Sequence, residues 1–157
     1  MSVIFEDNSM QCINALDSIC DAWLYEAAGE LEAQTKRNSR SDTGQAKNSY
    51  EYRVDNANQK AYIGSNLENA IWEEFGTGEY ALNNDGRKTP WYVPVEKATG
   101  KKKPTYQGQV IVVYGKDGQA FYKTDGKSPN RPLFRAFEKL EAKLKKRLQA
   151  LLAEGMK

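Results

Sequence analysis

The stretch GSNLENAIWEEFGTG, residues 64–78, decides how the middle of this chain folds. Ser65 and Glu68 predict a capping box at a helix start, because each side chain can bond the other residue's backbone N–H. The apolar residues that follow share one face of a two-turn helix and are Leu67, Ile71 and Phe75. Gly76 is predicted to end this helix in the left-handed conformation.

Two adjacent carboxylates inside this helix, Glu73 and Glu74, raise the question of acid–base catalysis. Successive helix positions point about 100° apart, so the two side chains should not converge on one reacting group. A structural or interface role is therefore the favoured interpretation for both.

Upstream, residues 9–36 predict a long amphipathic helix that Asn8 or Ser9 can cap. Its apolar stripe consists of Ile13, Leu16, Cys20, Trp23, Ala27 and Leu31. The helical rise between Cys12 and Cys20 is about 12 Å, so the two cysteines cannot form a disulfide within this helix.

Between this helix and residue 64, the sequence predicts a helical turn and a hairpin. Asp42 can cap a turn through Asn48. A single Asp-Thr-Gly does not make an aspartic protease, which needs two such carboxylates. Tyr50, Tyr52 and Val54 alternate with polar residues and predict a strand. Residues 60–64 are predicted to return as a second strand, which gives a hairpin.

Residues 79–106 predict a long polar loop of a kind that is uncommon in compact domains unless it is functional. Trp91, Tyr92 and Tyr106 are anchors of the type that dominate interfaces, so we expect them to pack on the sheet or on a neighbouring subunit. The basic run Lys101, Lys102 and Lys103 is either a solvated loop or a contact with DNA or an acidic lumen.

The C-terminal third predicts strands and then a second long helix. QVIVVY, residues 109–114, is apolar and β-branched and is predicted to be central in the sheet, with residues 119–123 pairing back. Pro132 opens a helix that runs through residue 153. The expected fold class is α+β, a small antiparallel or mixed sheet flanked by long N-terminal and C-terminal helices, in one domain over residues 1–157.

Composition narrows the functional classes. The 157 residues carry a net charge of +2, too balanced for a dedicated nucleic-acid binder. Histidine is absent, which removes the commonest general base and most zinc sites. We expect no cofactor, no metal and no catalytic residue. No signal peptide or membrane span is predicted, so the protein is expected to act in a cytoplasm.

Three motifs in order resemble the head–tail joining and tail-completion proteins of long-tailed bacteriophages. A DTG element before a hairpin corresponds to Asp42 to Ser49. An E-(F/Y)-G-T-G element corresponds to Ala70 to Gly78, and a P-F-(L/F)-R-x-A-like helix start corresponds to Pro132 to Ala136. The resemblance spans nearly the whole chain.

This resemblance implies a non-enzymatic virion subunit, assembled in the host cytoplasm. Such a tail terminator forms a ring, typically six-fold, that ends tail-tube polymerisation. Its implied partners are other copies of itself, the tail tube protein and the head connector or stopper, with phage DNA passing through the lumen and no membrane. The candidate interface residues are Trp91, Tyr92, Tyr106, Glu74 and Phe75.

Three alternatives remain open. One is another neck or minor tail protein of similar fold, such as a head–tail adaptor or stopper. The second is a small nucleic-acid-binding module, which would need a concentrated basic face. The third is a hydrolase that uses carboxylates such as Asp42, Glu73, Glu74 or Asp85, although nothing in their spacing makes these converge.

Overall fold

The computed structural model describes residues 6–40, 44–95 and 111–155, and two long helices frame the fold. In chain order the elements are α1 (Ser9–Asn38), α2 (Gln45–Asn48), β1 (Tyr50–Asp55), β2 (Lys60–Ser65), α3 (Glu68–Phe75), β3 (Thr77–Gly78), β4 (Trp91–Pro94), β5 (Ile111–Tyr114), β6 (Ala120–Thr124), β7 (Gly126–Lys127) and α4 (Pro132–Gly155). The predicted α+β class with a long helix toward each end is confirmed.

The strongest tertiary contact joins α1 to α4, which run antiparallel. Both helices contribute buried apolar residues to the core: Leu24, Ala27 and Ala28 from α1, and Ala136 and Leu144 from α4. The indole Nε1 of Trp23 donates to the carbonyl of Leu144 at 3.0 Å, so the predicted packing role of Trp23 includes a polar link between the helices.

The start of α1 differs from the prediction in its cap. Neither Asn8 nor Ser9 provides the capping side chain; instead Asp7 Oδ1 accepts a hydrogen bond from the Ser9 N–H at 2.9 Å. Cys12 and Cys20 are both free, as their spacing predicted. The first turns of α1 are exposed, including Ile13 of the predicted stripe.

The predicted hairpin is confirmed as β1 and β2, paired antiparallel from Tyr50 opposite Ser65 to Asp55 opposite Lys60. It packs on α1. The carboxylate of Glu32 on α1 accepts the Tyr52 N–H at 3.0 Å, which joins the exposed backbone of β1 to the helix.

Among the described residues the predicted sheet is instead three separate antiparallel sheets: β1–β2, β3–β7 and β4–β6–β5. The sequence predicts QVIVVY to be central, but in the described part of the chain β6 is the central strand and β5 pairs with β6 alone. The successive residues Val112 and Val113 are both exposed, although they point to opposite faces of the strand. An apolar β-branched run is therefore not enough to place a strand inside a sheet.

The predicted loop over residues 79–106 contains a strand that the sequence pattern does not predict. Trp91 to Pro94 form β4, which pairs with β6 from Trp91 opposite Thr124 to Pro94 opposite Phe121. Residues 96–110 lie outside the described residues, and with them Tyr106 and the basic run at residues 101–103. None of the described helices combines the length and the apolar run that a bilayer-spanning helix needs.

Candidate functional site

A polar cluster lies where α1 ends, α3 ends and α4 begins, and it links the second predicted motif to the third. We call it the polar junction and define it by Arg40, Tyr50, Glu73, Glu74 and Asn130. Glu73 and Glu74 are only 4% and 8% exposed, which is unusual for carboxylates and requires partners. Those partners come from segments that are distant in the sequence.

Glu73 ties the end of α1 to the segment before α4. Its Oε1 accepts hydrogen bonds from the Arg40 backbone N–H at 2.6 Å and from Asn130 Nδ2 at 2.9 Å. Its backbone carbonyl also accepts the Asn130 N–H at 2.8 Å. The same Asn130 amide donates to the carbonyl of Asn38 at 2.8 Å, so one asparagine bridges α1 and α3.

Glu74 caps α4 from outside that helix. Its two carboxylate oxygens accept the backbone N–H groups of Leu133 at 2.9 Å and Phe134 at 3.0 Å. The first amides of a helix have no partner within the helix, and the helix dipole favours a negative charge there. Arg131, which precedes Pro132, has a positive φ of 54° and no capping side chain, so the acceptor comes from α3.

The adjacent carboxylates thus do not converge on one reacting group, as predicted, and each is held by backbone or side-chain donors. Glu74 was also predicted as an interface residue. Both of its oxygens are occupied inside the subunit, so the structure removes it from the surface that a neighbour could contact. The sequence contained one signal for this outcome: α4 opens at Asn-Arg-Pro without a local capping residue.

The phenol of Tyr50 lies inside the polar junction without a hydrogen-bond partner. The nearby Ser39 hydroxyl, which donates to the Thr35 carbonyl at 3.1 Å, acts on the phenol in the direction that lowers its pKa. Burial and the negative charges of Glu73 and Glu74 raise the pKa of Tyr50 to about 12. The junction therefore keeps Tyr50 neutral beside two carboxylates.

The Gly-Thr-Gly turn fixes where the chain leaves α3. The predicted αL glycine has φ +76° and ψ −179°, a region open essentially to glycine, rather than the αL conformation. A Cβ at Gly76 would lie 2.8 Å from the Tyr80 carbonyl oxygen and 2.9 Å from Pro129 Cδ. Thr77 and Gly78 pair with Lys127 and Gly126, which brings the second motif next to the segment that leads into the third.

The predicted capping box is wrong. α3 begins at Glu68 and has no side-chain cap, because Ser65 is still part of β2. The Ser65 hydroxyl accepts the Leu67 N–H at 3.0 Å and shares a hydrogen bond of 2.6 Å with the Ser49 hydroxyl. Ser49 is the last residue of the first motif, whose predicted cap Asp42 lies outside the described residues.

With its carboxylates buried, α3 turns its apolar side to solvent. Ile71, Trp72 and Phe75 are 58%, 46% and 45% exposed. Further exposed apolar residues lie on the segments joined to α3. We call the whole set the apolar patch, and it consists of Ile71, Trp72, Phe75, Leu82, Phe134 and Phe137.

Hydrogen bonds link two further members of the apolar patch, Leu82 and Phe134, to α3. The Leu82 N–H donates to the Phe75 carbonyl at 2.9 Å, and Phe134 is held by the carboxylate of Glu74. The Arg131 guanidinium stacks on Phe134, 3.6 Å from the ring centroid. Apolar patches of this kind mark sites of interaction with other molecules.

The other predicted interface residues occupy different places. Phe75 belongs to the apolar patch. Trp91 is half-buried in β4, with the Arg87 guanidinium 5.9 Å from its ring centroid, whereas Tyr92 is exposed. Among the described residues, Trp91 and Tyr92 lie in the β4–β6–β5 sheet, whereas Phe75 is the last residue of α3, outside that sheet.

The basic half of α4 is engaged with α1 in part. Lys143 contacts the Glu30 carboxylate at 2.7 Å, and Arg147 contacts Glu26 at 3.1 Å. These interhelical pairs reduce the positive charge that α4 presents to a phosphate backbone. Among the described residues no group of three or more histidine, cysteine or acidic side chains could hold a metal ion.

Comparisons with protein-family models, with curated proteins and with solved structures find no match for this chain.

Proposed function

We propose that this chain is a structural subunit of the neck of a long-tailed bacteriophage, where it forms a ring at the head-proximal end of the tail. The ring ends polymerisation of the tail tube and joins the tail to the head connector, with DNA passing through its lumen. The observation that carries the proposal is the orientation of α3. This helix buries Glu73 and Glu74 and exposes Ile71, Trp72 and Phe75.

The buried carboxylates of α3 stabilise the monomer, but its exposed apolar side chains add to stability only when a partner covers them. Covering the exposed half of one aromatic ring, roughly 100 Å², contributes about 2.5 kcal/mol at 25 cal/mol per Å². Trp72, Phe75 and Phe134 each offer such a ring. Apolar residues held outward on a rigid base suit a subunit whose partner covers them, because little ordering entropy is then lost on assembly.

The polar junction supplies that rigid base. Buried, hydrogen-bonded carboxylates hold α3 and the start of α4 in one geometry. Two of the segments that resemble the phage family meet in it, Glu73 and Glu74 directly and the Pro132 to Ala136 turn through its amides. The first segment is joined to the hairpin instead, through the hydrogen bond between Ser49 and Ser65. A structural role for these motifs needs no catalytic group.

Two experiments test the proposal. Negative-stain electron microscopy and native mass spectrometry of the purified protein should show closed rings of a single stoichiometry, and a strictly monomeric protein would count against it. In the phage that encodes the chain, an amber mutation should give unjoined heads and tails of uncontrolled length.

The second experiment also separates the alternative, a head–tail adaptor or stopper. Loss of a stopper should leave tails of normal length and heads that lose their DNA. Loss of a tail terminator should change tail length, because nothing then ends polymerisation of the tube. A plasmid copy of the wild-type chain should restore joined virions in either case.

A further inference from the structure

The first part of α1 extends past the end of α4. The last residue of α4, Gly155, lies against Ile19, since a Cβ added to Gly155 would collide with the Ile19 side chain. At the other end, Asn38 Nδ2 donates to the Pro132 carbonyl at 3.2 Å. Residues 9–18 therefore form an overhang of about 15 Å at 1.5 Å per residue, which we call the α1 overhang.

The α1 overhang carries exposed apolar side chains. Met10 and Ile13 are 67% and 49% exposed, and Leu16 continues their spacing of three residues along one side of the helix. The hairpin reaches the helix only near its inner end, where Gln59 Nε2 donates to Asp17 Oδ1 at 3.0 Å. Among the described residues nothing else of the subunit covers Met10 and Ile13.

The overhang and the apolar patch lie at opposite ends of the same helix pair. The patch sits at the end where α1 finishes and α4 starts, because Glu73 bonds Arg40 and Glu74 bonds Phe134. Ile13 and Asn38 are separated by a helical rise of about 38 Å. The subunit thus presents two different apolar surfaces, one at each end, which is what a head-to-tail contact requires.

The end of the subunit that carries the overhang is acidic. Between Glu6 and Thr35 the chain has no lysine or arginine, and the exposed carboxylates Glu6 and Asp7 stand just before the overhang. Hydrogen bonds from Ser9 hold the pKa of Asp7 below its usual value, so it stays ionised.

The opposite end presents arginines beside the patch. They are Arg37, Arg40, Arg131 and Arg135. The carboxylates at that end are Glu68, Glu79 and Glu138, which are exposed, and Glu73 and Glu74, which are buried and hydrogen-bonded within the subunit. Arg131 lies directly on the patch, over the ring of Phe134. Exposed carboxylates next to one apolar surface and an arginine on the other are of opposite charge, and such pairs steer association.

We propose that the α1 overhang of one copy of this chain docks on the apolar patch of the next copy. Met10 and Ile13 pack against Ile71, Trp72 and Phe75, with Glu6 and Asp7 facing the arginines around the patch. The inference rests on the proposed ring function and names the two surfaces that close the ring. Because the surfaces differ, each copy uses one on each side, and the contact repeats from subunit to subunit.

Two double variants, each disabling one surface, test the pairing. M10D/I13D changes only exposed residues of the overhang, and I71D/F75D changes only exposed residues of α3. Circular dichroism and thermal unfolding establish that both remain folded. E79Q, a change of an exposed glutamate outside both surfaces, is the matched control and should form wild-type rings.

Native mass spectrometry of each variant alone should show monomers. A one-to-one mixture of the two should form a heterodimer and nothing larger, since one intact overhang meets one intact patch and the two remaining surfaces are disabled. Trp72 should report the contact, as its emission shifts to the blue in the heterodimer and the shift disappears in a W72F background.

Three results would overturn the pairing. A mixture that stays monomeric would show that these two surfaces do not bind each other. Rings of wild-type size from either variant would leave the ring function standing and reject this contact. A wild-type protein that is monomeric at all concentrations would remove both the ring function and the pairing, and would make a different chain the occupant of the patch.

Discussion

Removing the carboxylate of Glu74 should destabilise the protein much more than removing any exposed carboxylate. Both oxygens accept backbone amides of α4, at 2.9 Å and 3.0 Å, in a side chain that is almost fully buried. E74A leaves two amides at the start of α4 without an acceptor, in a place where water does not reach freely. Each unsatisfied donor costs about 1–3 kcal/mol, so we expect E74A to cost about 3–5 kcal/mol.

The isosteric variant E74Q refines the expectation. Its amide keeps one acceptor oxygen, so one of the two bonds survives, but the NH₂ group then faces the second backbone N–H. The charge that complements the helix dipole is lost as well, which is worth roughly 0.3–2 kcal/mol. We therefore expect E74Q to cost about 2–3 kcal/mol, between the wild type and E74A.

Equilibrium unfolding in urea, followed by far-UV circular dichroism, measures both values. For a chain of this size a loss of 3 kcal/mol lowers the melting temperature by about 6–12 °C. E79Q serves as the control and should change the free energy of unfolding by less than about 0.5 kcal/mol, since Glu79 is exposed. An E74Q protein within 0.5 kcal/mol of the wild type would refute the capping role that we assign to Glu74.

Four further predictions concern the polar junction, the turn beside it and the helix pair. Y50F removes a buried hydroxyl without a partner, so it should leave stability unchanged or raise it by about 1 kcal/mol, and a loss above that in urea unfolding would contradict the geometry. Because the folded pKa of Tyr50 is raised from 10.0 to about 12, its contribution to stability is full below pH 10 and declines as the pH rises toward 12. Absorbance at 295 nm should therefore show a late-titrating tyrosine that Y50F removes, whereas uniform titration near pH 10 in the folded protein would disprove the shift. G76A should cost about 2 kcal/mol more than G118A in thermal unfolding, because both glycines have positive φ but only a Cβ at Gly76 meets backbone atoms, and equal costs would contradict this. A double-mutant cycle on Lys143 and Glu30 should give a coupling of about 0.5 kcal/mol that falls with added salt, as expected of an exposed pair, and a value above 2 kcal/mol would be inconsistent with that exposure.

Local patterns in the sequence predicted most of the elements. The helical stripes and the alternation from Tyr50 to Val54 each involve neighbours within a few residues, so the local pattern predicts them directly. Pro132 also marked the start of α4 correctly. These predictions are correct because local propensity, periodicity and the tertiary structure favour the same elements.

The errors share one cause, which is that the deciding partner lies far away in the chain. QVIVVY has the composition of a central strand, yet only the order of pairing shows that β6 takes the centre. The sequence predicts a loop where β4 forms, because the partner strand β6 lies about thirty residues further on, as the pairing of Trp91 with Thr124 shows. The capping box at Ser65 failed because the hydroxyl bonds Ser49 across the hairpin.

The sequence alone determined that this chain contains two long amphipathic helices, a hairpin and punctuated turns, because those depend on residues close together in the chain. It also showed that Glu73 and Glu74 point in different directions. Only the tertiary structure decided that both carboxylates face inward and that Ile71, Trp72 and Phe75 face solvent. The physical reason is that the amides at the start of α4 and after α1 need acceptors, and α3 supplies them at the expense of covering its own apolar side.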